Sequence, residues 1–193
     1  MLRPLYNRVM ALAAHRHANW ALAVVSFVES SVFPIPPDVM LIPMVLARRH
    51  KALLITTICT LASVLGGLLG YFIGLFLFES IGRPILNFYS YGENFAAFQS
   101  RYNEWGVWIV LIAGLTPFPY KVITIASGVT GLSLPVFIVA SIIARGVRFS
   151  IVAALLWKFG EPIQIFIERY LGILFTLFIV LLIGGLAVVK LVF

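Results

Sequence analysis

Glu29-Ser30-Ser31-Val32-Phe33-Pro34-Ile35-Pro36-Pro37-Asp38 sets two carboxylates and three prolines where apolar runs at 19–33 and 39–47 meet. Neither run is long enough to cross a bilayer, which takes about 20 residues for a hydrocarbon core of roughly 30 Å. Proline blocks the helix ladder and turns the residue before it away from helical geometry. The two runs are therefore expected to be half-length helices folded into a re-entrant hairpin over 19–47, turning on Pro34, Pro36 and Pro37. A single broken helix across 20–47 is the other arrangement the pattern permits. In both, the backbone groups freed at the prolines need protein or a watery cavity as partners.

The rest of the chain shares this character. Of 193 residues, 62% are hydrophobic and 11% charged, with a mean hydropathy of +1.06. A soluble domain carries about 25% charged residues, so the polar side chains are too few to cover a water-facing surface. The expected class is an all-α polytopic membrane protein. The net charge of +7 does not point to nucleic acid, because the basic residues stand at the ends of apolar segments rather than on one polar face. That distribution fits the positive-inside rule and attraction to anionic headgroups. Cys59 is the sole cysteine, so the chain can form neither an internal disulfide nor a cysteine metal cluster. It reads as packing, and no cofactor or metal is implied. No cleavable signal peptide is expected, since Glu29 and the prolines spoil the first apolar run as a leader.

Residues 1–18 mix Arg3, Arg8 and Arg16 with Leu2, Leu5, Val9 and Leu12, the pattern of an interfacial amphipathic helix. Residues 52–78 form a clear transmembrane span. In it Gly66, Gly70 and Gly74 repeat at intervals of four, a smooth face for helix packing. Residues 79–104 are the most polar stretch and are expected to form an extramembrane connection ending in an interfacial helix. A second proline-turned re-entrant hairpin is expected over 106–128, where Thr116-Pro117-Phe118-Pro119-Tyr120-Lys121 separates two short apolar runs. A span at 134–157 follows. An interfacial link and a C-terminal transmembrane helix complete the chain over 161–193. The membrane domain of 19–160 thus divides into two halves, each a hairpin followed by a span. Assigning 1–17, 48–51 and 158–169 to the cytoplasm gathers eight of the fourteen Lys and Arg residues. The N-terminus is then cytoplasmic and the halves are inverted, as in many secondary transporters.

Glu29, Asp38, Lys121, Arg145 and Arg148 are ionisable groups in apolar surroundings. Each costs about 2.5–3.5 kcal/mol at a helix centre on insertion scales. They are candidates for substrate and proton binding, with mutual ion pairing as the structural alternative. Desolvation raises a carboxylate pKa and a neighbouring cation lowers it, so a carboxylate held between the two can take and release a proton. Arg145 and Arg148 share one helical face, and an arginine fork suits phosphate. Lys121 suits an anionic headgroup or a carboxylate.

Glu29 with Phe33-Pro34-Ile35-Pro36-Pro37-Asp38 resembles the acidic, proline-rich motif of the DedA/VTT-domain proteins, specifically their YqaA-like branch. Gly66-Gly67-Leu68-Leu69-Gly70-Tyr71-Phe72-Ile73-Gly74 is similar to the family's glycine-rich helix. Residues 116–121 with Gly128 and Phe137 resemble its second motif, and Arg145-Gly146 with Trp157 and Gly160 its following helix. The chain departs from many members in carrying Gly114, where they have an arginine three residues before the first proline of the second motif. The resemblance implies a multi-pass protein of the bacterial inner membrane. It further implies a non-enzymatic flippase or scramblase for phospholipid or undecaprenyl phosphate that depends on the proton-motive force. The partners would be anionic lipids and protons, with homo-oligomerisation left open. A proton-coupled antiporter of small ions or cations, and a non-transporting homeostasis or assembly factor, are the competing functions. No nucleophile–base pair, metal-ligand cluster or phosphate loop favours an enzyme.

Overall fold

A computed structural model describes residues 17–32, 36–89, 92–116, 118–160 and 162. The interfacial helix expected at 1–18 and the segment 161–193 lie almost wholly outside these residues, as do Pro34 and Pro117 at the two turns. Among the described residues the chain is helical and has no strand. Helix α1 is Ala18–Ser31 and α2 is Asp38–Ala47. A 3-10 turn, Arg49–Lys51, leads into α3, Ala52–Leu77. After a π turn at Phe78–Gly82 comes α4, Arg83–Tyr89. Helix α5 is Gly92–Leu115, α6 is Tyr120–Val129 and α7 is Leu134–Phe159.

Among the described residues two stretches are long and apolar enough to cross a membrane, Arg49–Leu86 and Leu134–Phe159. Helices α1, α2 and α6, of 14, 10 and 10 residues, are not. Proline defines how the short helices start. Pro37 precedes the first residue of α2, and Pro37 accepts the backbone N–H of Leu41 at 2.9 Å. Pro119 does the same for α6, with its carbonyl receiving the Val122 N–H at 3.0 Å. A proline just ahead of a helix gives up nothing, because N–H groups in the first turn have no intrahelical acceptor.

Two expectations need correction. The span of 52–78 is expected to end where a separate connection begins at 79, yet the helix beginning at Ala52 continues through the π turn into α4. Pro84 supplies the reason for the π turn. Its ring lacks an N–H and crowds the carbonyl four residues earlier, and a wider turn accommodates both defects without ending the helix. The interfacial helix and the apolar run from Val107 were also expected to be separate elements. They are one helix, α5, polar in its first half and apolar in its second. Gly106 does not interrupt it, because a Cβ there would strike the Leu132 side chain, so the glycine provides close contact rather than a break.

The packing centres on α3 and α7, which lie against each other. Helix α1 packs mainly on α3 and α2 on α7, while α5 packs mainly on α7 and α6 on α3. Each proline-linked pair is thus divided between the two long helices. One apolar cluster joins Leu22, Leu41, Met44, Ile55, Phe149 and Leu156. A second joins Tyr71, Val110, Tyr120, Leu132 and Phe137. They occupy opposite halves of α3 and α7.

Glycine makes the α3 contacts possible. A Cβ at Gly66 would collide with the Phe27 carbonyl of α1, one at Gly70 with the Thr124 hydroxyl, and one at Gly74 with the Ile125 carbonyl of α6. From the other side, a Cβ at Gly128 would meet the Tyr71 carbonyl. Where backbone faces backbone, no rotamer change can make room. Gly66→Ala and Gly74→Ala are expected to destabilise the protein by about 1–3 kcal/mol, the usual range for overpacking. Gly92→Ala, which would meet nothing within 4 Å, should leave stability unchanged. Thermal unfolding in detergent would check this, and equal behaviour of all three variants would refute it.

Candidate functional site

Between the two apolar clusters lies a polar layer. Ser63 and Arg145 each stand twelfth in a 26-residue helix, α3 and α7 respectively. Arg145 has no exposure at all. Its Nη2 donates to Glu29 Oε2 at 2.6 Å and to Ser30 Oγ at 3.3 Å, and its Nε donates to Ser63 Oγ at 2.6 Å. The Ser30 hydroxyl donates to Glu29 Oε2 at 3.0 Å and lies 2.7 Å from Ser63 Oγ. A guanidinium only donates and a carboxylate only accepts. The hydroxyl hydrogens must therefore run one way, from Ser63 to Ser30 to Glu29. The guanidinium lies over the Tyr120 ring at 4.6 Å and the Phe149 ring at 4.9 Å, cation–π contacts that help compensate for lost water. The Tyr120 hydroxyl in turn donates to Ser141.

One turn farther along α7, Arg148 Nη2 donates to Asp38 Oδ2 at 2.9 Å. This pair is more open, with side-chain exposures of 22% and 24%, against 0% and 15% for Arg145 and Glu29. Asp38 is the first residue of α2, where the helix dipole also favours an anion. Each pair leaves one buried polar atom without a hydrogen-bond partner among the described residues: Arg145 Nη1 and Asp38 Oδ1. Buried polar groups are otherwise nearly always satisfied.

Of the five charged candidates, four therefore meet, as two carboxylate–arginine pairs between α7 and the first proline-linked helices. Lys121 stands apart from both. Its Nζ lies 3.5 Å from the Val32 carbonyl, where α1 ends, and so links the starts and ends of the two proline segments. A cation there faces the negative end of a helix. Gly114 packs toward the same layer, and a Cβ on it would come 2.6 Å from the Ala144 methyl, beside Arg145. An arginine in its place would force α5 away from α7. Ser30, Ser63, Tyr120 and Ser141 belong to the site although their chemistry does not single them out. Their signal is small polar residues inside apolar helices, which in membranes bond between helices.

The VTT domain matches residues 35–158, well over half of the chain. The chain belongs to the VTT-domain family. Members are membrane proteins, in keeping with the two long apolar helices. An uncharacterized protein of Haemophilus influenzae is 38% identical to this VTT-domain protein over 157 residues, covering 81% of each chain. An uncharacterized protein of Histophilus somni is 36% identical over 151 residues, covering 78% of each. No solved structure matches the chain. Asp38, Ser63, Tyr120, Arg145 and Arg148 fall inside the matched domain, while Glu29 and Ser30 precede it.

Removing one member of a buried ion pair leaves the other uncompensated. Arg145→Met is accordingly expected to destabilise the protein by about 3–5 kcal/mol, and adding Glu29→Met to recover most of the loss. Urea unfolding of both variants in detergent reads the difference. Additive losses would mean that the two residues do not stabilise each other.

Proposed function

We propose that this VTT-domain protein is a transporter of the bacterial inner membrane that carries an anionic phospholipid or polyprenyl phosphate across the bilayer, with protons as the coupling ion. The observation that carries the reading is the Glu29–Arg145 pair, set beside the midpoints of the membrane-length helices α3 and α7 and holding one unpartnered guanidinium nitrogen. An arginine at that depth is expensive to keep. A device that only locked helices together would do as well with hydroxyls.

In the proposed cycle the carboxylates hold the arginines at rest. A proton taken by Glu29 removes the charge that fixes Arg145, whose fork then has donors for a phosphate headgroup. Asp38 and Arg148, at the more open end, make the same exchange where a headgroup arrives or leaves. The helix pairs α1–α2 and α5–α6 act as two opposed re-entrant hairpins. They give the lipid tail a side exit while the head passes the polar layer.

A second reading, proton-coupled antiport of small ions or cations, draws on the complete enclosure of Arg145, since a small ion reaches Glu29 without any lateral opening. Reconstituted liposomes separate the two. Fluorescent phospholipid and undecaprenyl phosphate are followed across the bilayer with and without a pH gradient, alongside a lumenal pH dye with added salts. Lipid movement by the wild type is expected to fall to the protein-free rate in Glu29→Gln and Asp38→Asn, both of which should still insert and fold. Gln keeps an oxygen for Arg145 Nη2 to bond. Lys121→Ala should weaken headgroup affinity. Salt-driven proton flux with no lipid movement would replace the lipid reading with the antiport one.

A further inference from the structure

An open groove of about 370 Å³ lies between the start of α3 and the end of α7, away from the polar layer. Arg49 and His50 form its mouth, Leu53 one wall, and Ser150, Ala154 and Trp157 the other. Leu53 is 80% exposed and Trp157 61%, so the groove opens outward rather than into the protein. From Ser150 to Trp157 the apolar part runs about 10 Å along the helix. Arg49 is set at the mouth by Gly160, whose φ of +58 and missing Cβ let the guanidinium rest against the backbone just past α7. Among the described residues neither Arg49 nor His50 has an acidic partner.

From this juxtaposition we infer that the groove is a binding site for one acidic membrane phospholipid, with its phosphate on Arg49 and His50 and its first methylenes along Leu53, Ala154 and Trp157. Charge complementarity selects the occupant. The mouth belongs to the run Arg48-Arg49-His50-Lys51, and basic residues at a membrane surface attract anionic headgroups. Trp157 is a residue type that settles at headgroup level. The volume lies within the range of small-molecule sites, about 300–1,000 Å³, and suits a headgroup and the top of a chain rather than a whole lipid. The inference rests on the membrane-spanning reading but not on transport. The site is separate from Glu29 and Arg145, and its lipid is a fixed ligand rather than cargo.

Native mass spectrometry of the full chain in detergent, titrated with phosphatidylglycerol or phosphatidylcholine, tests it. The expected result is one phosphatidylglycerol adduct that phosphatidylcholine does not form. Arg49→Ala and His50→Ala should each weaken it by up to about fivefold. Ala154→Phe, which fills the groove and leaves every charge in place, should weaken it as well. Glu29→Gln should keep the adduct, so a failure of the transport proposal would leave this one standing. An adduct insensitive to Ala154→Phe would reduce the site to surface attraction and overturn the inference, as would equal binding of both lipids. A photo-crosslinker in place of Leu53 should label lipid. Labelling of the chain's own residues 171–193 instead would also overturn it.

Discussion

A guanidinium sealed from solvent at the middle of a membrane-length helix must have its charge and its N–H groups answered by the protein. Arg145 is answered from four directions, by Glu29, by Ser30 and Ser63, and by the faces of Tyr120 and Phe149. Those partners come from α1, α3, α6 and α7. One side chain therefore ties both proline-linked helix pairs to both long helices. The apolar clusters on either side are less demanding, because methylenes pack in many ways, whereas an arginine fork accepts few geometries.

That demand propagates into the backbone. For Ser63 and Glu29 to reach the same guanidinium, α1 must lie almost on the surface of α3, and Gly66 permits it by presenting no Cβ to the Phe27 carbonyl. On the far side, Gly74 and Gly128 bring α3 and α6 equally close, which seats Tyr120 beneath the guanidinium. The glycine stripe and the buried charge are thus parts of one arrangement. Close backbone approach brings short side chains such as serine within bonding range across a helix interface.

Both ion pairs connect α7 to the first proline-linked pair, and none of the described ion pairs reaches from α7 to α6. The ion pairing is therefore lopsided, although α1 and α6 pack on α3 to similar extents. The first proline-linked pair supplies the carboxylates, and the second contributes the ring of Tyr120 and the outlying Lys121.

Much of the architecture is legible in the sequence alone. Hydrophobic run length separates Ala52–Leu77 and Leu134–Phe159 from the short helices, because bilayer thickness sets a length that composition reports directly. Glu29, Asp38, Arg145 and Arg148 stand out for the same reason, as charges where apolar residues are the rule. The continuity of α3 into α4 and of α5 across Gly106 was not legible. Local polarity argues for a boundary at such places, and only packing shows that a π turn or a close contact carries the helix through. Which acid pairs with which arginine, and that Ser63 bonds to Arg145, were decided by the tertiary structure. These contacts join residues 82 to 116 positions apart, and no periodicity along a chain encodes which helices will cross at their midpoints.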